Sequence, residues 1–176
     1  MKGGNALQLT VAILKPDLVA RPRDLQLVEQ RILKEGFYIV RRKLVHLKRH
    51  ETEAFYNEHC DKFFYNRLVT YMSSGPMKPM ILAGYNAVSQ WRELMGPTKI
   101  SKAKMIAPDS IRSHYGLTDT RNSVHGSDGE ESFLKESQFF FPDFNPIAWQ
   151  DKCESLFRQG NVYYDITSGI HLVSTN

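Results

Sequence analysis

The succession of elements along this 176-residue chain predicts an α+β fold, a four-stranded antiparallel sheet covered by helices. Two observations carry that expectation. Stretches of period-two alternation or of β-branched and aromatic residues alternate with amphipathic helical stretches, in the order strand, helix, strand, helices, strand, helix, loop, strand, helix. That order fits the ferredoxin-like sandwich rather than a bundle or a barrel. The composition, 41% hydrophobic and 24% charged, is that of one soluble globular domain.

In the first strand, Ala6, Gln8, Thr10 and Ala12 alternate with Leu7, Leu9, Val11 and Ile13, which predicts one buried face before the stop at Pro16. Leu25, Val28, Ile32 and Leu33 then recur at helical spacing over 23–35, with Pro22 suited to the first turn and Gly36 to the end. Residues 37–47 read as a second strand, and 51–59 and 65–72 as short helices halted at Ser74-Gly75-Pro76. A third strand is expected over 77–85 and a helix over 87–95, where Val88, Trp91 and Leu94 form one stripe closed by Gly96-Pro97. No period holds over 98–110, so lysines, Pro108 and small residues there predict a long, mobile loop of the kind that carries function. Ser123-Val124 predict a short fourth strand and 130–139 a helix. These elements make 1–144 one domain and 145–176 a C-terminal extension, packed on it or trailing, whose Tyr163-Tyr164 can fold back on the body.

Several function classes fall away at once. The apolar stretch around Leu9–Leu14 is far shorter than the roughly 18 residues a bilayer span needs, so no membrane span is expected. Cys60 and Cys153 form neither a disulfide framework nor a metal-binding spacing, which favours a reducing compartment and argues against a zinc site. The net charge of +4 suits an anionic ligand, yet only Arg41-Arg42-Lys43 is a tight basic cluster. On a strand those side chains alternate outward and read as a solvated face; with no recognised module present, nucleic-acid binding ranks last. Residues 1–5 are too short and weakly basic for a signal or transit peptide.

The sharpest motif is Arg121-Asn122-Ser123-Val124-His125-Gly126-Ser127-Asp128. A neutral imidazole can attack phosphorus without first losing a proton, and glycine beside it removes a side chain that would crowd an arriving phosphate. On these residues alone His125 reads equally as a nucleophile and as a structural histidine.

This octapeptide resembles the signature of the nucleoside diphosphate kinase family, and other motifs follow in family order: Ile13-Leu14-Lys15-Pro16-Asp17, Gly96-Pro97-Thr98 and Ser110-Ile111-Arg112. The resemblance covers most of residues 7–144. The Leu-Met-Gly-Pro-Thr stretch, the Ala107–Arg112 segment and the C-terminal extension are similar to a divergent branch of that family. It implies that His125 accepts the phosphoryl group, that Glu136 orients the imidazole and that Ser127 supports the carboxylate. Lys15, Arg92, Thr98 and Arg112 would hold nucleotide phosphates, Asn122 sugar and phosphate, and Phe64 and Leu68 the base. Mg²⁺ would arrive with the phosphates of nucleoside di- and triphosphates, with no protein metal site. Taken singly, Lys15 reads as a solvated strand-end cation, Arg92 as half of a surface pair, Phe64 as core, Thr98 as a turn residue and Glu136 as a surface acid.

Departures from the family pattern set a second expectation. The chain is a few residues shorter between His59 and Phe64, where Cys60 or nothing stands for a phosphate-facing tyrosine, and a few longer between Thr98 and Arg112. Asp119 stands where an apolar residue usually touches the base. The alternative function is therefore a weakly active nucleotide-binding module that docks a partner protein through the altered loop and tail, and a hexamer is doubtful. The branch implies a mitochondrial address, with the cytoplasm as the alternative.

Overall fold

A computed structural model of the chain describes residues 6–174; the transit-peptide reading of residues 1–5 lies outside them. Four strands, β1 (Gln8–Leu14), β2 (Tyr38–Arg42), β3 (Lys78–Gly84) and β4 (Val124–Gly126), form one antiparallel sheet in the order β2-β3-β1-β4. This is the expected ferredoxin-like α+β architecture. Between the strands run α1 (Pro16–Val19), α2 (Pro22–Lys34), α3 (Arg49–Phe55), a 3₁₀ turn at Asn57–His59, α4 (Tyr65–Met72), α5 (Ala87–Met95), α6 (Ile100–Ile106), α7 (Ile111–Tyr115) and α8 (Glu130–Phe140). None of the helices among the described residues is long and apolar enough to cross a membrane.

The sheet is buried on both sides, which corrects the single buried face expected for β1. Leu9, Val11 and Ile13 join Ile81, Phe133 and Phe140 in one core cluster, while Ala12 and Leu14 join Val28, Ile32, Met80 and Trp91 in a second. The cause is position: β1 lies between β3 and β4, and helices cover both faces. Only Gln8 of β1 is exposed. Thr10, polar in the alternating pattern, is consequently buried, and its hydroxyl has no partner.

Two further expectations are corrected. The stretch 98–110 is not a structureless loop, since it holds α6 with Ile100 and Ala103 buried. Two buried positions in so short a helix leave no period to read. Its first turn is fixed from outside, because the Asp119 carboxylate accepts the Ile100 N–H at 3.0 Å. Of the Arg41-Arg42-Lys43 cluster, expected to be solvated, Lys43 is exposed while Arg41 and Arg42 are half-buried. Arg41 lies 5.3 Å from the centre of the Phe144 ring, Lys43 lies 5.3 Å from that of Phe141, and Arg42 sits between Glu29 and the Gly169 carbonyl.

The C-terminal segment forms α9 (Pro146–Lys152), α10 (Glu154–Arg158) and a hairpin of β5 (Val162–Asp165) and β6 (Ile170–Val173). It is joined to the sheet by packing and by hydrogen bonds. Trp149 and Phe157 enter the same core cluster as β1, Tyr164 packs against the second, and Tyr163 is exposed. Buried Glu154 accepts the Leu7 N–H at 2.8 Å, and His171 Nδ1 accepts the Ile39 N–H of the edge strand β2 at 2.9 Å. That bond lies beside the β2 irregularity between Ile39 and Arg41. Trp149→Ala should therefore lower stability by about 3–5 kcal/mol, the range for emptying a core aromatic site. Urea denaturation checks this, and a loss below about 1 kcal/mol would show that the segment contributes little to the core.

Candidate active site

His125 is the middle residue of the three-residue edge strand β4, paired with Ile13 of β1. A strand this short needs other anchors. The Trp91 indole N–H donates to the His125 carbonyl at 3.0 Å, and the Lys15 N–H donates to the Ser123 carbonyl at 2.9 Å. Ser123 itself adopts φ +72°, a strained conformation for a non-glycine residue, held where its hydroxyl donates to buried Asp17 at 3.2 Å. Tyr71 also donates a hydrogen bond to Asp17. Gly126 proves necessary for a different reason than phosphate access. A Cβ there would lie 2.5 Å from the Trp91 ring, so the crowding comes from the core side.

One face of the imidazole is fixed by a chain of hydrogen bonds. Nε2 of His125 lies 2.7 Å from Glu136 Oε1, Ser127 Oγ donates to Glu136 Oε2 at 2.5 Å, and the Val11 N–H donates to Ser127 Oγ at 3.1 Å. An ionised carboxylate only accepts, so the ring proton sits on Nε2 and the free lone pair on Nδ1. Glu136 is carried by α8, whose Phe133 and Phe140 are buried against the sheet.

Around His125 opens a cavity of about 870 Å³ whose walls include Lys15, Phe64, Leu68, Arg92, Thr98, Arg112 and Asn122. All the nucleotide-contact residues expected from the sequence thus meet at one place, with Glu136 and Ser127 behind the imidazole. Lys15 is buried and donates to Asn122 Oδ1 at 2.7 Å, and the Asn122 amide donates to the carbonyls of Thr98 and Asp119. Arg112 donates to the carbonyls of Gly96 and Val124 at 2.8 and 2.9 Å, while its buried Nε has no partner. Gly96, at φ +79°, cannot carry a side chain, because a Cβ would lie 2.3 Å from Ser110 Oγ. Arg92 pairs with Asp128 at the exposed rim.

These cations are held uncomfortably. Burial, reinforced by the charge of Arg112 and opposed by Asp17, lowers the Lys15 pKa to about 7. Burial and then the charge of Arg92 lower that of Arg112 to about 10. A cavity lined by positive groups that repel one another is poised for a polyanion.

Sequence reasoning missed some wall residues. Tyr56, Phe63, Arg67 and Asp128 also line the cavity, whereas Cys60 is exposed and does not. Phe63, 93% exposed, stands at the mouth. A tyrosine, Tyr56, does stand on the cavity wall, which corrects the expectation of Cys60 or nothing there; it shares a helical stripe with buried Thr52 and so reads as core from the sequence. Asp119 does line the cavity, but one of its oxygens is committed to the first turn of α6.

Comparison with known proteins agrees with this geometry. The family model described as nucleoside diphosphate kinase matches residues 8–145. Nucleoside diphosphate kinase 6 of Xenopus tropicalis is 51% identical, covering 90% of this chain and 89% of that protein. Its Homo sapiens counterpart is 46% identical, covering 99% and 94%. The solved structure of the Aquifex aeolicus nucleoside diphosphate kinase superposes with a TM-score of 0.74 at 34% identity, covering 81% of this chain and 98% of that one.

The depressed Lys15 pKa makes anion binding depend on pH. An arriving phosphate raises that pKa, so binding takes up a proton above about pH 7, and affinity falls as pH rises from there. Calorimetry with ADP near pH 8, in buffers of different ionisation enthalpy, should register this uptake, and Lys15→Gln should remove it. Equal heats in the buffers for the unaltered protein would contradict it.

Proposed function

The chain belongs to the nucleoside diphosphate kinase family, and on that premise we propose that it transfers the γ-phosphate of a nucleoside triphosphate to a nucleoside diphosphate through phospho-His125. The observation that carries the reading is the 2.7 Å bond between Nε2 and Glu136, which leaves Nδ1 as the nucleophilic nitrogen beside the cationic cavity. In the first half-reaction Nδ1 attacks the γ-phosphorus, the N–P bond forms, and the bond to the β,γ-bridging oxygen breaks with its electrons leaving on the diphosphate. In the second, the terminal oxygen of another diphosphate attacks phosphorus and the N–P electrons return to the ring.

Glu136 keeps the Nε2 proton throughout and offsets the positive charge the ring acquires while Nδ1 is bonded to phosphorus. Lys15 and Arg112 are pre-placed against the charge that spreads over the migrating phosphoryl oxygens. Arg92 joins them by exchanging Asp128 for phosphate, an inexpensive exchange because exposed ion pairs contribute about 0–1 kcal/mol. Asn122, already bonded to Lys15, orients that lysine and reaches sugar and phosphate, with Thr98 at the turn after α5. Phe64 and Leu68 give the base apolar contact that is blind to its identity, so diphosphates of adenosine, guanosine, cytidine and uridine are all substrates.

No three or more His, Cys, Asp or Glu side chains gather into a metal cage among the described residues. The separate carboxylates of Asp119 and Asp128 on the cavity wall suit Mg²⁺ carried mainly by nucleotide phosphates and water. When bound, Mg²⁺ supplies charge neutralisation across the phosphate oxygens.

Incubation with γ-labelled ATP should place acid-labile phosphate on His125, and a diphosphate should remove it. His125→Ala should abolish labelling while leaving the fold intact, and Glu136→Gln should slow transfer less severely, since it perturbs orientation only. Labelling that persists in His125→Ala would refute the mechanism. Arg92→Ala and Arg112→Ala should each weaken nucleotide binding and slow transfer, whereas Arg41→Ala should do neither. Equal effects at Arg41 would point to a general polyanion surface.

A further inference from the structure

Asp17 ends the motif that supplies Lys15, and phosphoryl transfer gives it no part. It lies in the first turn of α1 with 2% of its side chain exposed. A carboxylate is seldom buried so deeply without compensation. Here the Tyr71 hydroxyl donates to Oδ1, the Ser123 hydroxyl donates to Oδ2 at 3.2 Å, and a guanidinium nitrogen of Arg21 lies 3.7 Å from Oδ2. The Asp17 N–H in turn donates to the Tyr71 oxygen at 3.0 Å. Arg21 is anchored by donating to the carbonyls of Asp17 and Tyr115, at 3.0 and 2.7 Å. One carboxylate thus joins α1, α4 and Ser123, the residue that enters β4 in the left-handed conformation.

Those partners do not include Lys15. No hydrogen bond or ion pair joins Asp17 to Lys15 among the described residues, and the Lys15 ammonium donates instead to Asn122 Oδ1 at 2.7 Å. The charge of Asp17 still reaches Lys15, where it favours the ammonium form against burial and against Arg112 of α7. The other charged or titratable groups around the two are Arg21 and Tyr71, which touch Asp17, Arg121 over the Tyr71 ring, and His125 of β4 and Arg92 of α5 on the cavity wall. Tyr71 stays neutral, since burial and then the Asp17 charge raise its pKa. A direct ion pair would hold Lys15 charged by occupying its N–H donors. A carboxylate at one remove supplies the field and leaves the donors to phosphate.

We propose that Asp17 is a positioning residue of the phosphate site, which sets the entry to β4 through Ser123 and keeps Lys15 cationic from a distance while its N–H donors stay free for phosphate. The proposal rests on the reading that nucleotide phosphates bind at Lys15, and adds how the empty site keeps that lysine charged. Asp17 acts through Ser123 and Lys15 and touches no substrate. Its action depends on charge as well as shape, which separates it from a carboxylate that only satisfies Tyr71 and Ser123. An asparagine in its place keeps the size and one acceptor oxygen, and the Ser123 hydroxyl can accept from the new amide. The charge alone is then removed.

The test is calorimetric titration with ADP from about pH 5.5 to about pH 8.5, on the full chain unaltered and as Asp17→Asn, Lys15→Gln and the double variant. In the unaltered protein affinity falls as pH rises above about 7. In Asp17→Asn that fall should begin about half to one pH unit lower. Affinity is then about 3- to 10-fold weaker near pH 8, and unchanged or stronger near pH 5.5. With Lys15→Gln in place, Asp17→Asn should no longer alter the pH dependence. An equal loss at every pH in Asp17→Asn, or an unmoved profile, overturns the proposal and leaves Asp17 a structural residue. If Asp17→Asn does not fold, Arg21→Gln decides. It leaves the carboxylate charge less offset, so the fall in affinity should move to higher pH, and an unmoved profile overturns the proposal. If the unaltered protein binds ADP with no fall across this range, the proposal alone fails. If it binds no ADP at any pH, the nucleotide-site reading fails and takes this proposal with it.

Discussion

The Glu136 carboxylate ties the nucleophile to the centre of the sheet. It accepts from His125 on one oxygen and from Ser127 on the other, and Ser127 is bonded in both directions to Val11 of β1, through N–H to carbonyl and N–H to hydroxyl. This chain of contacts makes the orientation of an imidazole on a three-residue edge strand a property of a buried central strand. The burial of Phe133 and Phe140 on α8 sets where the carboxylate can stand. Trp91, filling the space opposite Gly126, sets where the strand can stand.

Against this rigid frame the cavity holds charge at a cost to the empty protein. Lys15 and Arg112 are buried, lie close enough to repel each other, and are steadied by neutral groups, namely an amide oxygen and main-chain carbonyls. Neutral acceptors orient a cation without cancelling its charge, so the charge stays available to phosphate. A carboxylate on either residue would have given a more stable empty site and a weaker phosphate site. Arg92 shows the contrast: it is exposed and pairs with Asp128, so it can be exchanged. The strain at Ser123 belongs to the same economy of position, since an extended residue there would not bring its carbonyl to Lys15 and its hydroxyl to Asp17 together.

The readable parts of the sequence were those where one local rule was enough. The alternation through β1 and the stripe Val28, Ile32 follow from burial on one element, and Lys15, Thr98, Arg112, Asn122 and His125, which the ordered motifs contain, do meet at the cavity. What escaped depended on contacts between distant segments. Burial of both faces of β1 arises from strand order, α6 is fixed by an aspartate 19 positions downstream, and Arg41 and Arg42 of β2 are half-buried beside Phe144 and between Glu29 and Gly169. Gly126 was singled out correctly but for the wrong neighbour, because the position of Trp91 cannot be read from the motif. Tyr56 was invisible for a similar reason: a buried tyrosine on a helical stripe looks like core until it is found at the cavity wall.

The central claim is that Glu136 fixes the ring proton on Nε2 and leaves Nδ1 to carry phosphorus. Nuclear magnetic resonance of protein with ¹⁵N-labelled histidine tests it directly, by recording which ring nitrogen of His125 is protonated and which couples to ³¹P after reaction with ATP. The account predicts a proton on Nε2 before and after reaction, with phosphorus coupled to Nδ1. Phosphorus on Nε2, or a resting proton on Nδ1, would contradict it.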